Sequence, residues 1–512
     1  MGRRIRWLGI VMLLCFGLVV VQLVNIQFVK AKALANSPYN PRVSINHLDN
    51  QRGTIYAADG TVLAQSVKST STSPDSPHYM RVYPQGPLFA GITGFNDILY
   101  GSPSGIEYQY NQYLQTHAQA PQNFSQLLFN KPPSEPDDVT LTVDPVLQQA
   151  AWNALQAIPG PNKDGAVVVL NPTTGAVLAM ASNPTFDPNL LANPSVSAEQ
   201  AAHFEDSLPD SERFFPLVPM ATQERFPPGS SFKVVTSTAA YNLKPSLDNY
   251  SVPSLPYPLT FSDSNQTLSD DSGFPCGGTM AEMLPPSCDP GYGRLGELLG
   301  VPVLTQQAQL FGYAIYGTKN QFVPNIDIPN VIPSTFSNLA PNSQALLAYS
   351  AIGQDNVSAT ALQNALVASG IANGGVIMTP HLMQQIRDSQ GNVVTTYQPT
   401  PMLTAATQQA AASVNTLMQS VVTTPGATAS GIGFPPQWQM AVKTGTAQVQ
   451  APNQPEQTDD WLIGFDNAKG APNIAIAVIV PYQAVSATGA AVSGPIMKAV
   501  VQAYMNQTGA AG

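Results

Sequence analysis

The sequence predicts an α+β protein, an antiparallel sheet covered by helices, behind a small β-rich module and one N-terminal apolar helix. Three observations carry this. An apolar run interrupted only by Gln22, "WLGIVMLLCFGLVVVQLV", extends from Trp7 to Val24. Strand-like runs fall in two groups, at Gly165–Ser182 and between Trp438 and Tyr482, with helical segments between them. At 512 residues the chain exceeds one ordinary compact domain, and no repeat is visible that would make it a solenoid.

The elements follow in order. Arg3, Arg4 and Arg6 precede the apolar run, and "NIQF" carries it to Phe28. At about 1.5 Å per residue it can cross the roughly 30 Å hydrocarbon core. The arginines keep residues 1–6 cytoplasmic and place everything after Phe28 outside. Residues 7–28 are thus expected to form a single transmembrane anchor in the cell membrane. A cleaved signal peptide is the alternative, with Ala33-Leu34-Ala35 as cleavage site, although such apolar regions run only about 7–15 residues.

Residues 29–143 read as a mostly β module that spaces the next domain from the membrane. "NPRVSINHLDNQRGTIYAADGTVLAQS" alternates in polarity and carries an Asp59-Gly60 hairpin turn. "VKSTSTSPDSPH" is a polar stretch, Gly105–Leu114 a short helix, and His117–Asp138 a Gln/Asn/Pro-rich loop. The main domain, 144–508, opens with a helix capped by Asp144 with Pro145 at its first position. Two strands at Gly165–Ser182 flank an Asn-Pro-Thr-Thr-Gly turn. After the helix "SSFKVVTSTAAYNL", further helices are expected at Gly293–Leu299, Thr305–Phe311, Ala345–Ile352, Ala361–Ala372 and Ala405–Val422. Three strand-like runs, "WQMAVKTGTAQVQ", "DWLIGFDN" and "NIAIAVIVPY", precede a closing helix, "SGPIMKAVVQAYMNQ".

Composition removes some functions. A net charge of −10 with no basic run beyond the first residues argues against nucleic-acid binding, which needs clustered cations on phosphates. Five histidines, without a Gly-x-Ser-x-Gly elbow or metal-ligand spacing, disfavour a Ser-His-Asp hydrolase and a zinc site. No cofactor is implied. Cys15 lies in the apolar run; Cys276 and Cys288 outside it are either a disulfide or two buried thiols.

The chemistry-bearing stretch is "FPPGSSFKVV". Only one of the 11 lysines, Lys233, has a serine three positions before it, Ser230. In a helix starting near Ser230 these side chains are neighbours, so the amine lies over the hydroxyl. The helix start offers N–H donors where an oxyanion develops. A lysine can then take the serine proton without any histidine. A plain capped helix start is the structural alternative. A second signal is "KTGTAQ": Lys443, Thr444, Gly445 and Thr446 put a cation and hydroxyls at a sheet edge that can bind a carboxylate. Between them, "PPSCDPGYG" contains Ser287-Cys288-Asp289.

Ser-x-x-Lys, Ser-x-Asn and Lys-Thr-Gly in this order are the motifs of penicillin-interacting serine acyltransferases. The chain resembles the class B, monofunctional penicillin-binding proteins, and most closely their shorter actinobacterial-type subgroup. "RGTIYAADGTVLAQS", "GSPSGIEYQYNQYL", "GAVVVLNPTTGAVLAMASNPTFDPN", "ATQERFPPGSSFKVVT" and "ALVASGIANGGVIMTPHL" are similar to successive family segments, and the likeness covers nearly everything after the apolar run. It departs at Asp289, where the family usually has Asn; an ionised Asp accepts hydrogen bonds but cannot donate them.

The resemblance implies a serine transpeptidase/β-lactamase-like sheet with helices on both sides, preceded by a pedestal of the dimerisation type. It implies a D,D-transpeptidase acting on peptidoglycan stem peptides ending in D-Ala-D-Ala and acylated by β-lactams. Ser230 would be nucleophile, Lys233 its base, Ser287 the proton donor to the leaving amine and Asp289 an orienting group. Lys443, Thr444, Gly445 and Thr446 would hold the substrate. A membrane glycan polymerase is the implied partner, because the module is too short for a glycosyltransferase domain. A β-lactamase, a β-lactam sensor and an inactive cell-wall scaffold are the competing functions. Elongation or division role, stem-peptide chemistry and oligomeric state are not encoded legibly.

Overall fold

A computed structural model describes residues 2–25, 51–69, 78–96, 102–115, 135–160, 162–192, 214–253, 258–269, 275–319, 321–450, 455–468 and 473–509. The first helix, α1 (Gly2–Val24), coincides with the apolar run, and its Trp7, Leu13, Phe16 and Leu18 are exposed. Among the described residues no helix is long and apolar enough to cross a membrane; several α1 side chains lie outside them. So do the alternative cleavage site at 33–35, most of the 117–138 loop and most of the polar stretch before His78.

The pedestal contributes β1 (Ile55–Tyr56), β2 (Val62–Lys68), β3 (Tyr79–Val82) and β4 (Asp138–Leu141). Gly60, at φ +87°, closes the β1–β2 hairpin as the Asp-Gly pair predicts. Then come α2 (Pro145–Gln156), β5 (Gly165–Leu170), β6 (Val177–Asn183), α3 (Lys233–Leu243), α4 (Asp289–Leu299) and α5 (Ala361–Ala372). The last group is β7 (Met383–Arg387), β8 (Val393–Thr396), α6 (Gln408–Thr423), β9 (Ala441–Val449), β10 (Gln457–Phe465), β11 (Ala475–Ala484) and α7 (Gly489–Thr508).

Five strands form one antiparallel sheet in the order β9-β10-β11-β5-β6. Helices α2 and α7 pack on one face, α5 and α6 on the other. With both faces covered, β5 is buried at every position, which is why its sequence, "GAVVVL", shows no alternation. The Asp144 carboxylate caps α2 by accepting from the Val146 and Leu147 amides at 2.8 and 3.2 Å.

Several element bounds differ from the sequence expectation, and two differences matter most. The pedestal sheet runs β8-β7-β4-β1-β2-β3, so the two strands at one edge come from residues 383–396, far along the main domain. And α4 starts at Asp289, four residues before the expected Gly293. "DPGYG" reads as a loop, but Pro290 fits a first helical turn and the Cys288 sulfur accepts from the Gly291 amide at 3.3 Å. That earlier start places Asp289 on a rigid element.

Candidate active site

The Pro-Pro-Gly turn delivers Ser230 to the edge of the five-stranded sheet. Gly229 has φ +51°, and a Cβ there would lie 3.0 Å from the Thr446 carbonyl carbon and oxygen. Only glycine lets the turn come so close to β9. Gly229–Phe232 is a single 3-10 turn, and α3 continues from Lys233. Several contacts pin the turn. Phe232 packs its ring 5.4 Å from Tyr313 and 5.7 Å from Phe336. Trp461 Nε1 donates to the Pro227 carbonyl at 2.9 Å. Ser231 Oγ donates to the Pro228 carbonyl at 2.7 Å and accepts from Asn364 Nδ2 at 3.3 Å.

Lys233 and Lys443 are both 0% exposed, so each ammonium requires buried acceptors. Lys233 Nζ donates to the Ser287 carbonyl at 2.5 Å and to Ser287 Oγ at 3.0 Å, and pairs with Asp289 Oδ1. Ser230 Oγ donates to that same carboxylate oxygen at 3.3 Å. Ser230 and Lys233 therefore meet on Asp289 Oδ1 and not through a direct bond. From the other side Lys443 Nζ donates to Ser287 Oγ at 2.9 Å and to the Thr444 carbonyl at 2.9 Å. Ser287 Oγ thus accepts from both ammoniums, which leaves its own proton to point elsewhere.

Ser287 reaches both lysines because its backbone is left-handed, φ +64°, a conformation costing a non-glycine residue about 1–3 kcal/mol. Its neighbour Cys288 is bonded to Cys276, Cα–Cα 5.9 Å, so the pair is a disulfide and not two thiols. Tyr292, one turn along α4 from Asp289, sets its ring 5.4 Å from Lys233 Nζ and shares a 2.7 Å hydrogen bond with Ser237 Oγ. Burial holds its phenol well above the ordinary value. The sequence reading did not single out Tyr292; its i+3 spacing from Asp289 on a helix was the available signal.

Strand β9 is the sheet's edge and carries the Lys-Thr-Gly residues. A Cβ on Gly445 would lie 2.6 Å from the Pro228 carbonyl oxygen, so this glycine sets the strand's distance from the Ser230 turn. Thr444 Oγ1 donates to Thr428 Oγ1 at 2.9 Å, and Thr446 Oγ1 accepts from the Gly489 amide at 3.2 Å. His381, by contrast, is a core histidine stacked on Tyr397 at 3.6 Å, its pKa lowered by burial. Ser230, Lys233, Ser287, Asp289 and Lys443 form one connected hydrogen-bonded cluster, with Thr444–Thr446 along one side. A hydroxyl, two buried amines joined by a second hydroxyl, and a carboxylate are the parts of acyl transfer through a serine ester.

The penicillin-binding protein transpeptidase domain family matches residues 165–502, and the penicillin-binding protein A dimerisation domain family matches residues 52–134. The chain belongs to the penicillin-binding protein transpeptidase family. It is 33% identical to the peptidoglycan D,D-transpeptidase PbpA of Mycolicibacterium smegmatis, over 99% of this chain and 100% of that protein. PbpA of Mycobacterium tuberculosis is 33% identical over 99% of each chain. The ceftriaxone acyl-enzyme structure of M. tuberculosis penicillin-binding protein A superposes with a TM-score of 0.76, at 32% identity, covering 90% of this chain and 99% of that one. A D,D-transpeptidase domain from Eggerthella lenta gives a TM-score of 0.71 at 28% identity, covering 90% of this chain and 99% of that one. The chain is a class B, serine-type D,D-transpeptidase.

Proposed function

We propose that this transpeptidase cross-links peptidoglycan stem peptides ending in D-Ala-D-Ala, with Ser230 as nucleophile, and that β-lactams acylate the same hydroxyl. The observation that carries it is the doubly shared cluster: Asp289 Oδ1 contacts Ser230 and Lys233, and Ser287 Oγ contacts both lysines. Ser230 Oγ attacks the carbonyl carbon between the two D-Ala residues, and its proton passes to Lys233, whose ammonium first releases one proton to become the amine and which Asp289 and Tyr292 hold in line. The backbone N–H groups of Ser230 and Thr446 stabilise the oxyanion. As the C–N bond breaks, Ser287 gives its proton to the departing D-Ala nitrogen and is reprotonated from a neighbouring ammonium. Lys443, Thr444 and Thr446 bind the terminal carboxylate. An amine of a second stem peptide then displaces Ser230 from the ester; water in its place makes the reaction a carboxypeptidation.

Helix α1 anchors the enzyme in the cell membrane with the catalytic domain outside, supported by its 18-residue apolar run and the leading arginines. A glycan polymerase in the same membrane supplies the strands to be cross-linked. The test is labelling with a fluorescent penicillin, wild type beside Ser230→Ala. Stable label on the wild type alone is expected. Absence of label on both makes the chain a scaffold, and rapid loss of label makes it a β-lactamase.

A further inference from the structure

Asp460 lies on β10 directly opposite Thr446 of β9, and it is 0% exposed. One carboxyl oxygen, Oδ1, has no hydrogen-bond partner. The Thr446 side chain is its neighbour across the β9–β10 pair, and Asp460 Oδ2 meets Thr458 Oγ1 at a long 3.5 Å. From β11 the residue opposite is Val480. From the start of α7, Ser493 Oγ donates to the Asp460 backbone carbonyl at 2.7 Å, and the Gly489 amide donates to Thr446 Oγ1. The charge bearing on the group is that of Asp459 beside it, itself accepting from the Tyr482 amide at 3.0 Å. A buried carboxyl with an unmatched oxygen and a like-charged neighbour is poorly placed to be an anion and well placed to be a neutral acid.

The hydrogen-bond inventory of Thr446 gives this a consequence. A threonine hydroxyl has one proton and two acceptor sites. One acceptor site takes the Gly489 amide. When Asp460 is ionised, the proton of Thr446 points at the carboxylate and none remains for a ligand. When Asp460 is protonated, the acid donates to the second acceptor site and the Thr446 proton is free to turn toward the cleft.

We propose that Asp460 is a positioning residue whose protonated carboxyl turns the Thr446 hydroxyl outward, to donate to the anionic end of the donor peptide or β-lactam. This rests on the assignment of Thr446 to the substrate carboxylate. Burial, with repulsion from Asp459, pushes the Asp460 pKa up to about 7.

The test is the acylation rate of the full-length, detergent-solubilised protein by a fluorescent penicillin between pH 5.5 and 8.5. The protonated fraction falls from about nine-tenths at pH 6 to about one-tenth at pH 8, so the wild-type rate is expected to drop about tenfold over that range. In Asp460→Asn, whose amide N–H donates at every pH, the drop disappears and the pH 6 rate persists at pH 8. In Asp459→Asn, which keeps Asp460 but removes the repulsion, the midpoint moves to lower pH. That variant decides the matter if Asp460→Asn does not fold. An acylated wild type whose pH profile is unchanged in both variants overturns the inference and leaves the transpeptidase assignment standing. A folded wild type that is not acylated at any pH removes that assignment and this inference together.

Discussion

Replacing Gly445 with alanine adds one methyl group where the Ser230 turn and strand β9 meet. The new Cβ would lie 2.6 Å from the Pro228 carbonyl oxygen, 3.0 Å from Trp461 Cβ and 3.1 Å from the Ser231 amide. Ordinary contact begins near 3.4 Å, so the two segments must part by 3.4 − 2.6 = 0.8 Å. Pro228 precedes Ser230 by two residues, and Trp461 is fixed by its bond to Pro227, so the turn has no flexible side chain to yield. The movement therefore separates Ser230 from the Thr446 amide across the cleft. A misplacement of about 1 Å can cost about a hundredfold in rate, whereas overpacking one methyl typically costs about 1–3 kcal/mol of stability. Gly445→Ala should thus remain folded yet react with a fluorescent penicillin about a hundredfold more slowly. The checks are acylation kinetics beside a circular-dichroism melt. A folded variant reacting within about threefold of wild type would refute the claim that this glycine sets the strand-to-turn distance.

Other substitutions separate charge from geometry. Asp289→Asn keeps an acceptor oxygen for Ser230 and Lys233, whereas Asp289→Ala leaves the buried ammonium without it. Acylation is expected to fall a further ten- to hundredfold or so in the alanine variant, and equal rates would discount Asp289 as the shared acceptor. In the pedestal, Glu107 is 0% exposed between Arg52 (2.6 Å) and Arg81 (2.7 Å). Burial works to raise its pKa, but the two guanidiniums hold it below the ordinary carboxylate range. Glu107→Ala strands two buried cations and should cost about 3–5 kcal/mol, read as faster hydrogen exchange across residues 52–115. Unchanged exchange there would show the triad to be dispensable. For Asp460 the folded state holds a proton that the unfolded chain releases from pH 3.8 upward, so wild-type stability falls as pH rises to about 7 and then levels. The difference between 3.8 in the unfolded chain and about 7 in the folded one is worth roughly 4 kcal/mol. Asp460→Asn should melt above wild type at pH 8, with the gap closing toward pH 4; a gap independent of pH would refute this.

Local pattern revealed much of this fold. The Asp144-Pro145 cap, the apolar runs of β5 and β11 and the helix at Ala361–Ala372 follow from period and capping. The pedestal's completion by β7 and β8 did not, because Val139 pairs with Ile386 and nothing in either segment names its partner. The start of α4 was missed because proline and glycine weigh toward a loop unless the capping contact at Cys288 is known.

The site divides along the same line. Serine and lysine three apart on one helix, and a cation beside hydroxyls on a strand, are relations within a segment, so their spacing could be read. What Asp289 does depends on three segments meeting. It stands where an amide is usual, and alone it looks like a weaker copy of that amide. Placed by α4, its Oδ1 accepts a hydrogen bond from Ser230 and faces Lys233, contacts an amide oxygen could also make. The difference is charge: the cluster buries two ammoniums, and the carboxylate offsets one of them before any substrate arrives. The second, Lys443, donates to Ser287 Oγ and the Thr444 carbonyl, and in the proposed reaction the substrate's carboxylate joins it there. Asp460, on β10 opposite Thr446, follows the same logic, since an acid kept neutral there leaves a hydroxyl proton for that anion without adding a negative charge to repel it.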